Sequence, residues 1–417
     1  MEILSHIREQ YEQMVRDRRY VHAHPELSTK EENTLRYIED ALHAMGVETT
    51  RITPGGVLGV INPGKAGRTV LLRADVDALA IQEAPENLKG PKACVSQIPG
   101  VMHACGHDAH VAMILGAARA LSAMKDELPG QVVLFFEQSE EIGGRLLHVA
   151  QVLESSSLRP DICYGAHVRW DLPSGKIAVL DGAAMAGGFG FDVTLRGRGG
   201  HGSRPDLAHS PIDCFAAIHQ HIQRMRLTCV APDQVLTYSV GTLESGGTHN
   251  IIPETLRFAG TVRSFDVDGA CEAFAAQMRA AIVQIAALHG CEAAFNRYTR
   301  PIYETRNAPE MAQLARTAVK RHLGAQTLTQ GTPWMASESM NVLLRLYGGV
   351  LAFVGIRNEA LGTGANHHTP AFDVDEQAML PGAAAAAAFA LEALTCEALP
   401  AFERRIVSLE DLTSRTI

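Results

Sequence analysis

The run Gln131-Val-Val-Leu-Phe-Phe136 is apolar almost without interruption, and no other segment constrains the fold as strongly. A strand with one face in water alternates apolar and polar residues. A strand buried on both faces does not, and such strands belong to parallel sheets covered by helices. Val70-Leu71-Leu72 is a second short apolar strand, leading into Arg73-Ala74-Asp75-Val76-Asp77. Between the two, Val111, Ile114, Leu115, Ala118 and Leu121 recur at the helical period, with Asp108 the expected N-cap. Strand, helix, strand in this order predicts an α/β layer architecture with right-handed crossovers.

At 417 residues the chain exceeds one ordinary hydrophobic core, so two domains are expected. From Gly182 to Gly190 the texture turns to glycine and alanine. Beyond it, strands are predicted at 189–195, 235–240 and 256–263, with helices at 210–225 and 269–289. That order suits a small antiparallel α+β insert. After about Arg300 the α/β texture returns, with a strand at 350–355 and a helix at 381–394. The expected organisation is a catalytic domain of residues 1–184 and 299–417, with a mixed, mainly parallel sheet, interrupted by a smaller α+β domain at 185–298.

Composition narrows the function classes. Hydrophobic residues are 46% and charged residues 20%, the balance of a folded protein. The net charge of −9, with no Lys/Arg cluster, argues against a nucleic-acid partner. Residues 1–20 read as a charged amphipathic helix without the apolar run of a secretory signal. No stretch approaches the ~18 uninterrupted apolar residues of a membrane span. The nearest is the alanine tract 383–388, a helix former flanked by Pro381 and Glu392. The cytoplasm is the expected location, with no membrane partner. Eight cysteines are scattered singly, which predicts buried thiols rather than a disulfide framework.

Cys105 is the exception among them. It lies in Met102-His-Ala-Cys-Gly-His-Asp108. In an extended segment alternate side chains share a face, which would align His103, Cys105 and His107 as ligands for a zinc-like metal. The same pattern also fits a buried Cys at a helix start flanked by surface histidines. Glu140-Glu141 follows the apolar strand directly, where open α/β sheets place their ligands. Adjacent carboxylates cannot easily aim at one point, so one would ligate metal while the other takes a proton from water. Two solvated loop glutamates are the alternative. His167 and His367-His368 each follow a probable strand, and with the others they supply N, S and O donors enough for two metals.

With these residues in view, the sequence resembles the metallopeptidase family of aminoacylases and carboxypeptidases, and within it the auxin-conjugate and hippurate hydrolase branch. The resemblance covers nearly the whole chain. It rests on His22-Ala-His-Pro-Glu-Leu-Ser28, Arg73-Ala-Asp-Val-Asp-Ala-Leu79, Val101-Met-His-Ala-Cys-Gly-His-Asp108 and Glu140-Glu141. It continues through Gly199-Gly-His-Gly-Ser203, Thr248-His-Asn-Ile-Ile-Pro253 and His367-His-Thr-Pro370. It implies a zinc-peptidase-like catalytic domain with a ferredoxin-like lid and dimerisation domain. It further implies Cys105, His107, Glu141, His167 and His368 as metal ligands and Glu140 as the base. His201 corresponds to a histidine that steadies the oxyanion across a dimer interface, and Asn250 and Arg263 to substrate contacts.

The implied cofactor is a pair of divalent ions, manganese or zinc, with cobalt or nickel also suited to these donors. Asp75, Asp77 and Asp108 are the carboxylates expected behind the ligating imidazoles, or alternatively caps and turn closures. The implied activity is hydrolysis of the amide bond of N-acyl amino acids or related small conjugates by a homodimer or higher homo-oligomer. A dipeptidase or aminopeptidase, with Glu137 or Glu338 holding a free amine, is one alternative. A catalytically silent ligand-binding paralogue is another. Three departures from the family pattern bear on substrate choice. Glu137-Gln138-Ser139 stands where relatives commonly have Gln-Pro-Ala, Ile142 and Arg145 break the usual glycine run, and Ser337-Glu-Ser-Met340 replaces Ser-Glu-Asp-Phe.

Overall fold

The computed structural model describes residues 3–143 and 145–415. It divides into two compact units. The first comprises Met1–Ala184, Arg306–Thr332 and Ser339–Ser414, and the second Met185–Thr305, Pro333–Glu338 and Arg415–Ile417.

The first unit is built on a sheet that has seven strands among the described residues. Their order is Glu48–Ile52, Gly56–Ile61, Gln131–Glu137, Thr69–Asp75, Ile162–Pro173, Gly349–Arg357 and Ile177–Ala178. The four central strands run parallel. The outer ones pair antiparallel. The strand Gln131–Glu137 is buried from Val132 onward. Val132, Leu134 and Phe136 join the main core with Val70, Leu72 and Ala74. By the two-residue alternation of a strand, Arg73, Asp75 and Glu137 take the other face. Asp75 and Glu137 are register partners at the carboxyl ends of adjacent parallel strands.

The helix after the first motif spans His107–Ala123, two residues earlier than expected. Asp108 is not its cap. Gly106 holds that position with φ +90°, and a Cβ there would meet Val168 Cγ2 at 2.4 Å, so only glycine fits. The helix packs on Tyr11–Ala23 and Met379–Thr395. The N-terminal helix breaks at Gln10 into Ile3–Glu9 and Tyr11–Ala23, and residues 1 and 2 of the expected helix lie outside the described residues. Among the described residues two helical stretches, Glu376–Thr395 and Val267–Leu288, have the length and composition to cross a membrane. The first is 83% buried over its most apolar window, with alanines 383–388 in the core. The helix Glu272–Leu288 lies against its neighbour Pro211–Thr228 and the strand Glu292–Tyr298.

The second unit holds an antiparallel sheet, in the order Leu236–Ser245, Thr255–Ser264, Gly187–Arg196, Glu292–Tyr298. With the helices Pro211–Thr228 and Glu272–Leu288 the chain order is βαββαβ, the ferredoxin-like arrangement. The unit extends past residue 298 because Gly188 and Ile302 exchange two backbone hydrogen bonds. Ala186 N–H likewise reaches the carbonyls of Trp334 and Ala336. Phe189 is fully buried against Tyr298.

Candidate metal centre and active site

Polar residues of the first unit gather at the carboxyl ends of the parallel strands. After Glu137 the chain turns through Ser139, which adopts φ 65° and ψ 43°, into the tight turn Glu140–Ile142. A non-glycine residue holds this left-handed conformation only when its surroundings impose it. Here the Ser139 hydroxyl oxygen accepts the Thr29 N–H at 2.7 Å and donates to Glu31 Oε1 at 2.9 Å. Asp77 seizes the next two residues. Its Oδ1 accepts the Glu140 N–H and its Oδ2 the Glu141 N–H, each at 3.1 Å. The pair is thereby fixed in the backbone and its side chains take different neighbours. Glu140 Oε1 accepts the Ser339 N–H at 3.0 Å, while Glu141 Oε1 lies 3.3 Å from His368 Nε2.

Cys105, His107, His167, Glu141 and His368 are brought together. Cys105, His107 and His167 present donor atoms within 4.8 Å of one another, and so do Cys105, Glu141 and His368. The Cys105 sulfur is common to both groups. It lies 3.5 Å from His167 Nε2 and 3.4 Å from His368 Nε2. His367, the neighbour of His368, turns instead into the protein against Phe372 and His167. A third group, His107, Glu140 and Glu141, brings the expected base beside the ligands.

Hydrogen bonds select the tautomers. His107 Nδ1 lies 2.9 Å from the Asp77 carbonyl oxygen, and His167 Nδ1 lies 2.7 Å from that of Val168. A carbonyl only accepts, so each Nδ1 carries the proton and each Nε2 lone pair faces the cluster. Nε2 of His107 and Oε1 of Glu141 are buried with no hydrogen bond of sound geometry. Orphaned polar atoms of this kind, converging on one point, fit a cation. So does the charge. Burial, with Glu141 next, pushes the Cys105 thiol well up, so the sulfur stays protonated until a cation offsets its charge. Burial pulls His107 down, but Asp75, Cys105 and Asp77 outweigh it and favour positive charge there. Burial holds His167 neutral, the state in which imidazole ligates.

The three aspartates separate. Asp77 stands behind His107, as described. Asp75 serves His110, which sequence reasoning passed over. The His110 Nε2 accepts the Val168 N–H at 2.9 Å, so its Nδ1–H points to Asp75 Oδ1 at 2.5 Å. Asp75, His107 and His110 form a fourth donor group. Asp108 supports no ligating imidazole. It binds Arg18 at 2.8 Å and His22 at 2.8 Å, which hold its carboxyl far below the usual range despite burial. His103 joins none of the donor groups found among the described residues. Its segment is bent rather than extended, with Ala104 N–H bonded back to the Met102 carbonyl at 3.0 Å, so the alternation that aligned it fails. Burial lowers the His103 imidazole to about 4.

His201, Asn250 and Arg263 belong to the second unit, and the first two are neighbours there. His201 pairs in register with Ile251, and the Asn250 carbonyl accepts the Gly202 N–H at 2.8 Å. The exposed His201 ring accepts the Ser203 N–H at Nδ1, which leaves its Nε2–H as a donor. Arg263, on the strand Thr255–Ser264, donates to the Ser337 hydroxyl. Among the described residues no carboxylate pairs with it, and burial lowers its pKa.

A mixed Cys, His and Glu donor cluster at the carboxyl ends of parallel strands, with a further glutamate alongside, defines a metal-dependent hydrolase. The chain belongs to the peptidase family M20/M25/M40, whose family model matches residues 71–392. It is 34% identical over 384 residues to thermostable carboxypeptidase 2 of Saccharolobus solfataricus, spanning 91% of this chain and 95% of that one. It is 32% identical over 386 residues to IAA-amino acid hydrolase ILR1-like 4 of Arabidopsis thaliana, spanning 91% and 85%. With N-acetylcysteine deacetylase of Bacillus subtilis it shares 33% over 371 residues, spanning 88% and 93%. Among solved structures, the Bacillus subtilis YXEP protein, a dinuclear metal-binding peptidase of the M20 family, matches with a TM-score of 0.76 at 29% identity. That match covers 93% of this chain and 99% of the other. The protein is a metal-dependent amidohydrolase.

Proposed function

We propose that the enzyme hydrolyses the amide bond of N-acyl amino acids or related small conjugates, with two divalent ions held by Cys105, His107, His167, Glu141 and His368. The observation that carries this reading is the pair of donor groups sharing the Cys105 sulfur, with Glu140 beside them. Manganese or zinc suits the donors best, and cobalt or nickel are also compatible. When bound, the ions supply an acidified water and polarise the scissile carbonyl. Glu140 takes the proton from that water and returns it to the leaving nitrogen. The Nε2–H of His201, offered from the second unit of a partner protomer, steadies the oxygen as it gains charge. Arg263, part-buried and without a carboxylate partner among the described residues, pairs with the free carboxylate of the amino acid, and Asn250 contacts the substrate beside His201.

A homodimer accords with the exposed outer edge of the strand Leu236–Ser245, where Leu243 is exposed. The engagement of Glu137 by Arg73 and Ser339 favours acylated substrates over the dipeptidase alternative. A panel of N-acyl amino acids and free dipeptides, offered to metal-stripped and manganese- or zinc-loaded enzyme, tests the proposal. Metal-dependent release of amino acid from the acylated substrates is expected. Cleavage of the dipeptides alone would overturn it.

A further inference from the structure

Asp75, His107 and His110 lie close enough together to hold a cation, but the hydrogen bonds of His110 leave it nothing to give one. A neutral imidazole has one N–H and one lone pair. His110 Nε2 accepts the Val168 N–H at 2.9 Å, which uses the lone pair, and the proton at Nδ1 goes to Asp75 Oδ1 at 2.5 Å. Arg73 steadies that carboxylate, donating from Nη1 to Oδ2 at 2.9 Å. His110 therefore has a different task from His107, one turn before it on the helix His107–Ala123.

That task lies at Val168. The ladder between the strands Thr69–Asp75 and Ile162–Pro173 runs from Val70 with Ile162 to Arg73 with Gly165. Val168 stands beyond it, and its N–H goes to the His110 side chain. The carbonyl oxygen of the same residue accepts the Nδ1–H of His167 at 2.7 Å. The rings of His110 and His167 meet edge to face, with centroids 4.7 Å apart, and both are buried. Every bond in the series donates toward Asp75, from His167 to Val168, from Val168 to His110 and from His110 to the carboxylate. We propose that His110, oriented by Asp75, positions His167 through Val168 and is not itself a metal ligand. The proposal rests on the reading of His167 as a ligand. A group that fixes the ring and tautomer of a ligating histidine tunes the metal without touching it.

Two amide substitutions separate the two ends of the His110 ring. His110→Gln sets an amide oxygen near the place of Nε2 and keeps an acceptor for Val168. His110→Asn reaches only as far as Nδ1, so it keeps a donor for Asp75 and releases Val168. Chelator competition on the zinc-loaded enzyme reads the affinity of each ion, with the melting temperature as a control on folding. His110→Asn is expected to weaken one ion by about 10- to 100-fold, and His110→Gln to hold both ions within roughly threefold of wild type. Unchanged affinity in His110→Asn, or an equal loss in His110→Gln, would overturn the proposal. Wild-type enzyme with nitrogen-labelled histidine, loaded with an NMR-active cadmium isotope, needs no substitution and serves if a variant fails to fold. His167 is expected to couple to the metal, while His110 keeps its proton at Nδ1 and shows no coupling. Coupling at His110 would make it a ligand and overturn the proposal. Absence of coupling at His167 would instead remove the ligand assignment beneath it, so the two failures are told apart.

Discussion

His107 gives its Nδ1 proton to the carbonyl oxygen of Asp77 at 2.9 Å, and the Asp77 carboxylate holds the backbone N–H groups of both Glu140 and Glu141. One residue thus sets the tautomer of an imidazole in the donor cluster and the direction of both glutamates. Ser28 braces it from behind, donating to Oδ2 at 2.7 Å.

Asp77→Ala removes the carboxylate and leaves the carbonyl. The His107 tautomer survives, but the turn at Glu140 and Glu141 loses its anchor. Metal affinity is expected to fall by about 10- to 100-fold, the usual effect of removing a group that orients a ligand. Titration against a competing chelator measures this. Unchanged affinity would show that the turn holds itself through Ser139 alone.

His201 presents an Nε2–H because Ser203 occupies its other nitrogen. If that donor acts on a partner protomer's site, mixing inactive Glu140→Gln with inactive His201→Ala subunits creates sites that have both groups intact. Activity is expected to return on subunit exchange. No recovery, with exchange verified, would place His201 in its own protomer or outside catalysis.

Glu83 makes stability depend on pH. Burial raises its carboxyl, but His22 at 3.0 Å, Lys92 at 2.8 Å and the Ser96 N–H at 2.7 Å prevail and bring it from 4.5 to about 2. A folded-state pKa below the unfolded one contributes stability that is complete above pH 4.5 and lost as pH falls toward 2. The contribution is roughly 1–3 kcal/mol after allowance for solvent screening. Urea midpoints from pH 6 to about pH 2.5 should therefore fall more steeply for wild type than for Glu83→Gln. Parallel curves would assign the acid sensitivity to other carboxylates.

What was legible in the sequence was local in the chain. The apolar run 131–136 and the glutamates just beyond it sit within eleven residues, and one strand and one turn place them. The candidate donors from four distant segments were flagged one by one by local pattern, and only the resemblance assigned them to one ligand set. His110 was missed because it reads as a polar interruption in a helix, while its partners are Asp75, 35 residues away, and the Val168 N–H, 58 residues away. Asp108 looked like a cap because caps are read from residue type. The glycine two positions earlier, admitted by a clearance of one carbon against Val168, took the position instead.

The account turns on Glu140 moving a proton that the metal ligands do not move. Glu140→Gln in the manganese-loaded enzyme, assayed on an N-acyl amino acid with bound metal counted, addresses this directly. The account predicts unchanged metal content and a kcat lower by at least the ~10²–10⁴-fold that a general base supplies. A variant that holds its metal and works at the wild-type rate would contradict it.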